Sequence, residues 1–533
     1  MIEEAGWVVT GEVIEMKIKI FNHVWHPILF GVYSILALYA SNLGEIQFQS
    51  IIRPLVVVFF FSILLLGIFQ VIFKNWARSG LLTTWSLLIF LTYGHVYNLA
   101  RSLDWASFLA RHRLLLPIWA LLFVGVIILL IKKVREGEKL TQILNVVTGA
   151  LLLFSLITLG RHAVAQGIAR RSYQPSEAAT VPGLMLPQNP PDIYYILLDG
   201  YTRADVLEQK FSFDNSDFIK SLEEIGFYVA ECSRSNYEHT HLTLPSLMNM
   251  AYIDTLVGDI PPGATVDSLR FDELTKDNQV MQSLQSIGYE TVAFETSYYW
   301  AQFSDVDIYF EPTQIRFFTP SITDFEEIYL DTTLLSALLD WASKREISFI
   351  QAAVMPNESH ALRIQFALDK LKELPDMEGP QFVMAHLVVP HPPYIFNQEG
   401  VIPDIDDYDE SFEEGELGQE GYLNNIRFIN QEILQVVEEI LEKSPNPPVI
   451  ILQADHGSDF FDRTMILSAF HLPGSGAQAL YPQLTPVNTF RLVFKHIFDA
   501  PYDVLADRTL SGKYPPFDFQ PIEETYPHCI NKR

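Results

Sequence analysis

Hydropathy divides the chain before any chemistry is considered. Apolar runs at about 24–43, 55–73, 80–98, 114–131 and 141–160 each approach the roughly 20 residues that a helix needs to cross a bilayer. Leu55-Val-Val-Val-Phe-Phe-Phe and Leu121-Leu-Phe-Val-Gly-Val-Ile-Ile-Leu-Leu-Ile are unbroken, whereas the third run contains Thr83, Thr84, His95 and Asn98. The pattern predicts a transmembrane domain of about five helices over residues 1–165. Residues 1–22 lack the charge, apolar core and small-residue cleavage site of a signal peptide. Residues 166–191 are Pro-rich and non-periodic towards their end and read as a linker. From 192 onward the period changes. Ile193–Leu198, Phe382–Val389 and Val449–Leu452 are short continuous apolar runs, the signature of strands buried on both faces. A stretch at about 424–443 has helical three-four spacing. Such alternation predicts an α/β domain over 192–533, with a largely parallel central sheet clad by helices.

Charge sharpens the division. The net charge is −28, but residues 1–171 carry 15 Lys/Arg against 8 Asp/Glu, and residues 172–533 carry 21 against 56. So acidic a second half excludes a nucleic-acid partner, whose phosphates need a basic surface. The positive-inside count leaves topology undecided. Eight Lys/Arg flank the helices on the amino-terminal side and seven on the other. Residues 404–420 hold nine Asp/Glu and no Lys/Arg. They read as a solvated loop, because the glycine and terminal glutamate of a calcium-binding loop are missing. Two cysteines, Cys232 and Cys529, are too few for a thiolate zinc site and leave open whether they form one disulfide.

The chemistry sits where the apolar strands stop. Ile193–Leu198 runs into Asp199-Gly200, Phe382–Val389 into Pro390-His391-Pro392, and Val449–Leu452 into Gln-Ala-Asp455-His456-Gly457. In open α/β sheets ligands bind beyond the carboxyl ends of the strands, so these residues are expected to share one site. Asp199, Asp455 and His456 suit a divalent cation, zinc or manganese by donor type. Thr240 lies in Thr240-His-Leu-Thr-Leu-Pro-Ser246, just before an expected helix with Pro245 in its first turn and a cap at Thr243 or nearby. A hydroxyl beside a helix amino terminus and a cation can act as a nucleophile. His391 is a candidate proton donor to a leaving oxygen, or a partner of an equatorial substrate oxygen. His471 reads as a core or surface histidine.

Together these segments resemble the alkaline phosphatase/sulfatase superfamily. The likeness is greatest to its membrane-anchored branch, the lipoteichoic acid synthases and lipid A phosphoethanolamine transferases. The resemblance implies a threonine nucleophile at Thr240, metal ligands at Asp199, Thr240, Asp455 and His456, and a substrate-side histidine at His391. It implies a multi-pass protein of the cell membrane with an extracytoplasmic catalytic domain, acting on a phospholipid or other ester. Two departures stand out. Asp199 replaces the usual glutamate, and the Cys/Ser-x-Pro-x-Arg signature of formylglycine sulfatases is absent around 240. The expected function is transfer of a phosphoethanolamine- or phosphoglycerol-type head group through a threonine adduct. The alternatives are hydrolysis of sulfate or phosphate esters at the same site and a catalytically silent receptor or scaffold.

Overall fold

The computed structural model describes residues 23–43, 48–103, 107–109, 111–133, 137–172, 181, 184–258, 271–296, 301–303, 305–312, 324–343, 356–402, 415–474, 476–512 and 519–530. The readings of residues 1–22 and of the acidic run up to Glu414 lie outside these residues. The helices used below are, in chain order, α1 (His26–Ser41), α2 (Ile52–Phe73), α3 (Trp76–Ser102), α4 (His112–Lys133), α5 (Gly137–Ser172), α6 (Thr240–Met248), α7 (Asp324–Asp331), α8 (Leu335–Ser343), α9 (Pro356–Leu371), α10 (Gly415–Lys443) and α11 (Pro486–Ile497).

The chain forms two compact units, and the boundary is not a single cut. One unit takes residues 1–164 together with 321–354; the other takes 165–320 and 355–533. Three helices in the first unit are long and apolar enough to cross a membrane: Ile52–Phe73, His112–Lys132 and Gly137–Val164. Helix α1, with 16 residues, is shorter, and α3 is long but polar-spotted. The five expected helices are therefore present, while the crossing count rests on three of them. The expected linker is structured at both ends. Helix α5 continues to Ser172, and Val181 and Leu184 are buried among the apolar residues of the second unit.

The second unit is built on a seven-stranded sheet. Its strands are β1 (Ile193–Leu198), β2 (Tyr228–Val229), β3 (Glu290–Phe294), β4 (Ile308–Phe310), β5 (Gln381–Leu387), β8 (Val449–Gln453) and β9 (Ser468–His471), with β6 (Phe396–Asn397) and β7 (Gly400–Val401) forming a separate ribbon. The order is β2-β9-β8-β1-β5-β3-β4. Strands β8, β1, β5, β3 and β4 run parallel, and β9 pairs antiparallel with both β8 and β2.

Strand periodicity explains why β1 is apolar at every position. Tyr194, Ile196 and Leu198 enter the core covered by α9 and α10, including Ile364, Leu368, Ile426 and Ile433. Ile193, Tyr195 and Leu197 enter the opposite core, with Leu244 and Leu247 of α6 and Phe490 and Val493 of α11. Each large apolar side chain so buried contributes about 1.5–3 kcal/mol, and neither face of the strand is left to water. Helix α10 begins at Gly415, nine residues before the expected start, because Gly418, Tyr422 and Leu423 also find buried positions. Cys232 and Cys529 are joined in a disulfide across 297 residues of chain.

Candidate active site

Three adjacent parallel strands bring their carboxyl ends together. Leu198 of β1 is level with Leu387 of β5, and Leu197 is level with Gln453 of β8. Each chain then turns within a few residues. Asp199 N–H donates to the Leu387 carbonyl at 3.0 Å, and His391 N–H donates to the Asp199 carbonyl at 2.9 Å. Gly200 takes φ +76°, and a Cβ there would stand 3.5 Å from the His391 backbone. Glycine suits the left-handed turn, while the His391 backbone lies only at ordinary contact distance. The register thus delivers Asp199, His391, Asp455 and His456 to one place.

Asp199, His391 and His456 form a metal-ligand-like group, each with a donor atom within 4.8 Å of the others. His456 Nδ1 donates to the Gly457 carbonyl and His391 Nδ1 to the Pro392 carbonyl, both at 2.8 Å. A carbonyl only accepts, so in each ring this fixes the proton on Nδ1. That arrangement is typical of metal-bound histidine, where the second nitrogen is oriented by a backbone partner. His456 Nε2 lies 3.3 Å from Asp199 Oδ1 and 3.7 Å from Asp455 Oδ2. Asp199 Oδ1 is buried without a hydrogen bond among the described residues. A buried carboxylate oxygen facing imidazole nitrogens fits a divalent cation held by oxygen and nitrogen donors.

Helix α6 brings the hydroxyl. Thr240 is its first residue, and the Thr240 hydroxyl donates to Asp455 Oδ2 at 2.5 Å. The helix starts earlier relative to Pro245 than the sequence suggests. Pro245 is the sixth helical residue rather than a first-turn residue, and Thr243 lies inside the helix. Thr243 still serves the helix start, its hydroxyl lying 3.0 Å from Ser235 Oγ and donating to the Tyr237 carbonyl at 3.4 Å. Ser235 Oγ in turn donates to the Asp455 carbonyl at 2.5 Å, which ties the segment before α6 to the end of β8.

Several side chains at the site escape the sequence reading. His386, on β5, donates from Nε2 to Asp199 Oδ2 at 2.9 Å. Its Nδ1 faces a small buried chamber lined by Glu295, Thr296, His360 and Arg363. There His386 Nδ1 and His360 Nε2 are buried without hydrogen-bond partners among the described residues, and Glu295 Oε2 and Arg363 Nε form an ion pair at 3.6 Å. Arg463 donates from Nη2 to His456 Nε2 at 2.8 Å and from Nε to the Glu238 carbonyl at 2.9 Å, and pairs with Asp459. It adds a cation beside His456. His239 and His241 flank Thr240 with their rings stacked. The inward position of His386 in an apolar strand run was the one signal available in the sequence for these residues. His471, by contrast, sits on β9 with Nδ1 on the Pro448 carbonyl and its ring against Phe227.

The charges are strongly coupled. Burial alone would raise the Asp199 carboxyl, but His391, the His386 hydrogen bond and His456 hold it well below the usual carboxylate range. Burial also works against a charged His391, yet the Asp199 and Asp459 carboxylates and the Pro392 carbonyl raise its pKa above the ordinary value. His239 is pushed down to about 4 and His241 to about 3, first by burial and then by neighbouring positive groups. Both rings flanking the hydroxyl are therefore neutral at pH 7.

The sulfatase family model matches residues 191–496. No curated protein matches the chain. Among solved structures, the periplasmic domain of EptC from Escherichia coli, in complex with zinc, is similar at 10% identity, covering 64% of this chain and 96% of its own, with a TM-score of 0.42. Lipooligosaccharide phosphoethanolamine transferase A from Neisseria meningitidis is 13% identical over 89% of this chain and 95% of its own, with a TM-score of 0.39. The lipoteichoic acid synthase LtaP from Listeria monocytogenes is 12% identical over 58% and 75%, with a TM-score of 0.35. A family match over more than half the chain, on the segment that carries the strand-end cluster, shows that this protein belongs to the sulfatase family of enzymes.

Proposed function

We propose that the protein is a divalent-metal-dependent enzyme that transfers a phosphate-linked head group, of phosphoethanolamine or phosphoglycerol type, through Thr240. The observation that carries this reading is the Thr240 hydroxyl, donating to Asp455 Oδ2 at 2.5 Å beside the Asp199–His391–His456 cluster. Asp199, Asp455, His456 and the Thr240 oxygen would hold the cation, with Arg463 Nη2 giving up its bond to His456 Nε2. Zinc or manganese fits the mixed carboxylate and imidazole donors. When bound, the cation supplies charge neutralisation and lowers the pKa of a neighbouring hydroxyl.

The protein's own groups account for the remaining steps. Asp455 Oδ2 accepts the Thr240 proton as Oγ1 attacks phosphorus. The Oγ1–P bond forms and the bond from phosphorus to the departing oxygen breaks. His391 Nε2 gives its proton to that oxygen; the raised pKa favours the protonated ring. Arg463 offers a guanidinium to the phosphoryl oxygens. In the second half the now neutral His391 Nε2 takes the proton of an acceptor hydroxyl, whose oxygen bonds to phosphorus as the Oγ1–P bond breaks, and Asp455 returns its proton to Thr240 Oγ1. His386, bonded to Asp199, orients the carboxylate that faces the cation. A threonine at this position rules out formylglycine chemistry, since that aldehyde derives from cysteine or serine. The three membrane-length helices suit a lipid donor, and the disulfide suits an oxidising, extracytoplasmic compartment.

The test is intact mass and lipid product analysis of full-length protein in detergent micelles with labelled phosphatidylethanolamine or phosphatidylglycerol. A mass gain on the wild type, absent in Thr240→Ala, supports the reading. Diacylglycerol released only with an acceptor glycan or lipid present selects transfer. Release with water alone selects hydrolysis. No adduct and no metal-dependent turnover on phosphate or sulfate esters would overturn the enzymatic assignment of this site.

A further inference from the structure

Residues 324–343 fall in sequence between β4 and α9 of the α/β unit, yet they cluster with the helical unit. The contacts are specific. Leu334 N–H donates to the Phe90 carbonyl at 2.8 Å, and Gly94 N–H donates to the Thr332 carbonyl at 3.0 Å. Phe90 O and Gly94 N are four residues apart on α3, a pair that ordinarily bonds within a helix. The α7–α8 hairpin therefore engages the backbone ladder of α3 itself. A Cβ on Gly94 would fall on the Asp331 carbonyl, so glycine is required for this approach. Phe325 and Tyr329 stack and are buried with Ile35, Ile51, Leu87 and Leu91 of the bundle. The Tyr329 hydroxyl lies 2.9 Å from Ser34 Oγ on α1, and Glu326 pairs with Arg53 at the start of α2.

Among the described side chains of the hairpin, three large apolar ones are exposed, beside the exposed Asp331. Leu338 is 50% exposed and Trp341 47% exposed on α8, and Ile328 is exposed on α7. Val57 and Phe60 of the adjoining α2 are also exposed, at 60% and 63%. Gly94 stands eight residues before the end of α3, about 12 Å at 1.5 Å per residue. That depth lies between the helix ends and the middle of a bilayer about 30 Å thick. Tryptophan favours this boundary, where an apolar ring meets polar head groups.

We propose that α7 and α8 form a membrane-interface anchor that lays Leu338 and Trp341 into the head-group/acyl boundary of one leaflet. The proposal rests on the membrane reading of α2, α4 and α5.

The experiment uses full-length protein in proteoliposomes, with bimane attached to Leu338→Cys, to Phe60→Cys and to Glu442→Cys on α10. The native cysteines are paired and do not react. Brominated acyl chains are expected to quench Leu338→Cys and Phe60→Cys but not Glu442→Cys, and iodide the reverse. Adding Gly94→Leu is expected to abolish lipid quenching at Leu338→Cys while leaving Phe60→Cys unchanged. Iodide quenching of Leu338→Cys, with Phe60→Cys still quenched by lipid, overturns the anchor alone. Loss of lipid quenching at Phe60→Cys in the unaltered bundle overturns the membrane reading beneath it. Lipid quenching at Leu338→Cys that survives Gly94→Leu overturns the docking on α3.

Discussion

At the scale of single residues, the Thr240 hydroxyl is held by one carboxylate oxygen, and the consequences separate cleanly. Thr240→Ala is expected to lower kcat/KM by about a thousandfold or more, as loss of a nucleophile does, while metal content from elemental analysis falls less, because three other donors remain. Thr240→Ser is expected to keep measurable turnover, since the hydroxyl survives. His391→Asn separates two roles for that ring. If it protonates the departing oxygen, activity on a lipid-like diester should fall about 100-fold or more. Activity on a p-nitrophenyl ester, whose leaving group needs no proton, should then change little. An equal loss on both would mark His391 as a metal ligand. His386→Leu removes the bond to Asp199 Oδ2, and metal affinity is expected to weaken about 10- to 100-fold, the usual effect of losing a ligand's hydrogen-bond partner. Isothermal titration with zinc or manganese checks it. The ligands themselves were legible as carboxylates and imidazoles at strand ends. His386, Arg463 and the chamber residues Glu295, His360 and Arg363 were not. A polar residue in an apolar run, or an arginine in a loop, shows its role only once a distant neighbour is beside it: Asp199 lies 187 residues from His386, Glu295 68 from Arg363 and Glu238 225 from Arg463.

At the scale of elements, three parallel strands of mostly apolar sequence predict their own burial, and β1, β5 and β8 are buried along their whole length. Helix α6 is less legible. Its start at Thr240 places the hydroxyl at the helix end rather than one step before it, and Pro245 is accommodated in the second turn. The boundary was set by Ser235, whose bonds to Thr243 and to the Asp455 carbonyl fix the approach of the chain. The disulfide is an element-scale constraint as well. It joins the loop before α6 to the last described helix, and closing so long a loop restricts the unfolded chain. Cys232→Ser is expected to cost about 2–4 kcal/mol of stability. Chemical denaturation followed by circular dichroism, with and without reductant, measures it; equal midpoints for the two proteins under oxidising conditions would contradict the expectation.

At the scale of the whole molecule, the acidic second half raises the question of acid stability. Arg203 is buried between Asp205 and Glu524, and Glu524 accepts from the Tyr526 N–H as well. Burial works against ionised Glu524, but the Tyr526 N–H and Arg203 lower its pKa below the ordinary glutamate value. A carboxyl with a depressed folded pKa adds stability that is present above its unfolded pKa, near 4.5, and is lost as pH falls through the folded value. Thermal midpoints are therefore expected to fall as pH drops below about 4.5, and Glu524→Gln is expected to flatten that part of the profile. The sequence by itself determined the division into an apolar helical part and an acidic α/β part, the parallel sheet, and the residue types at the strand ends, because hydropathy period and local turn chemistry are written within windows of ten to twenty residues. Only the tertiary structure decided that residues 324–343 join the helical unit, that Cys232 meets Cys529, and that His386 stands behind Asp199. Those outcomes depend on close packing between segments far apart in the chain, which no local pattern encodes.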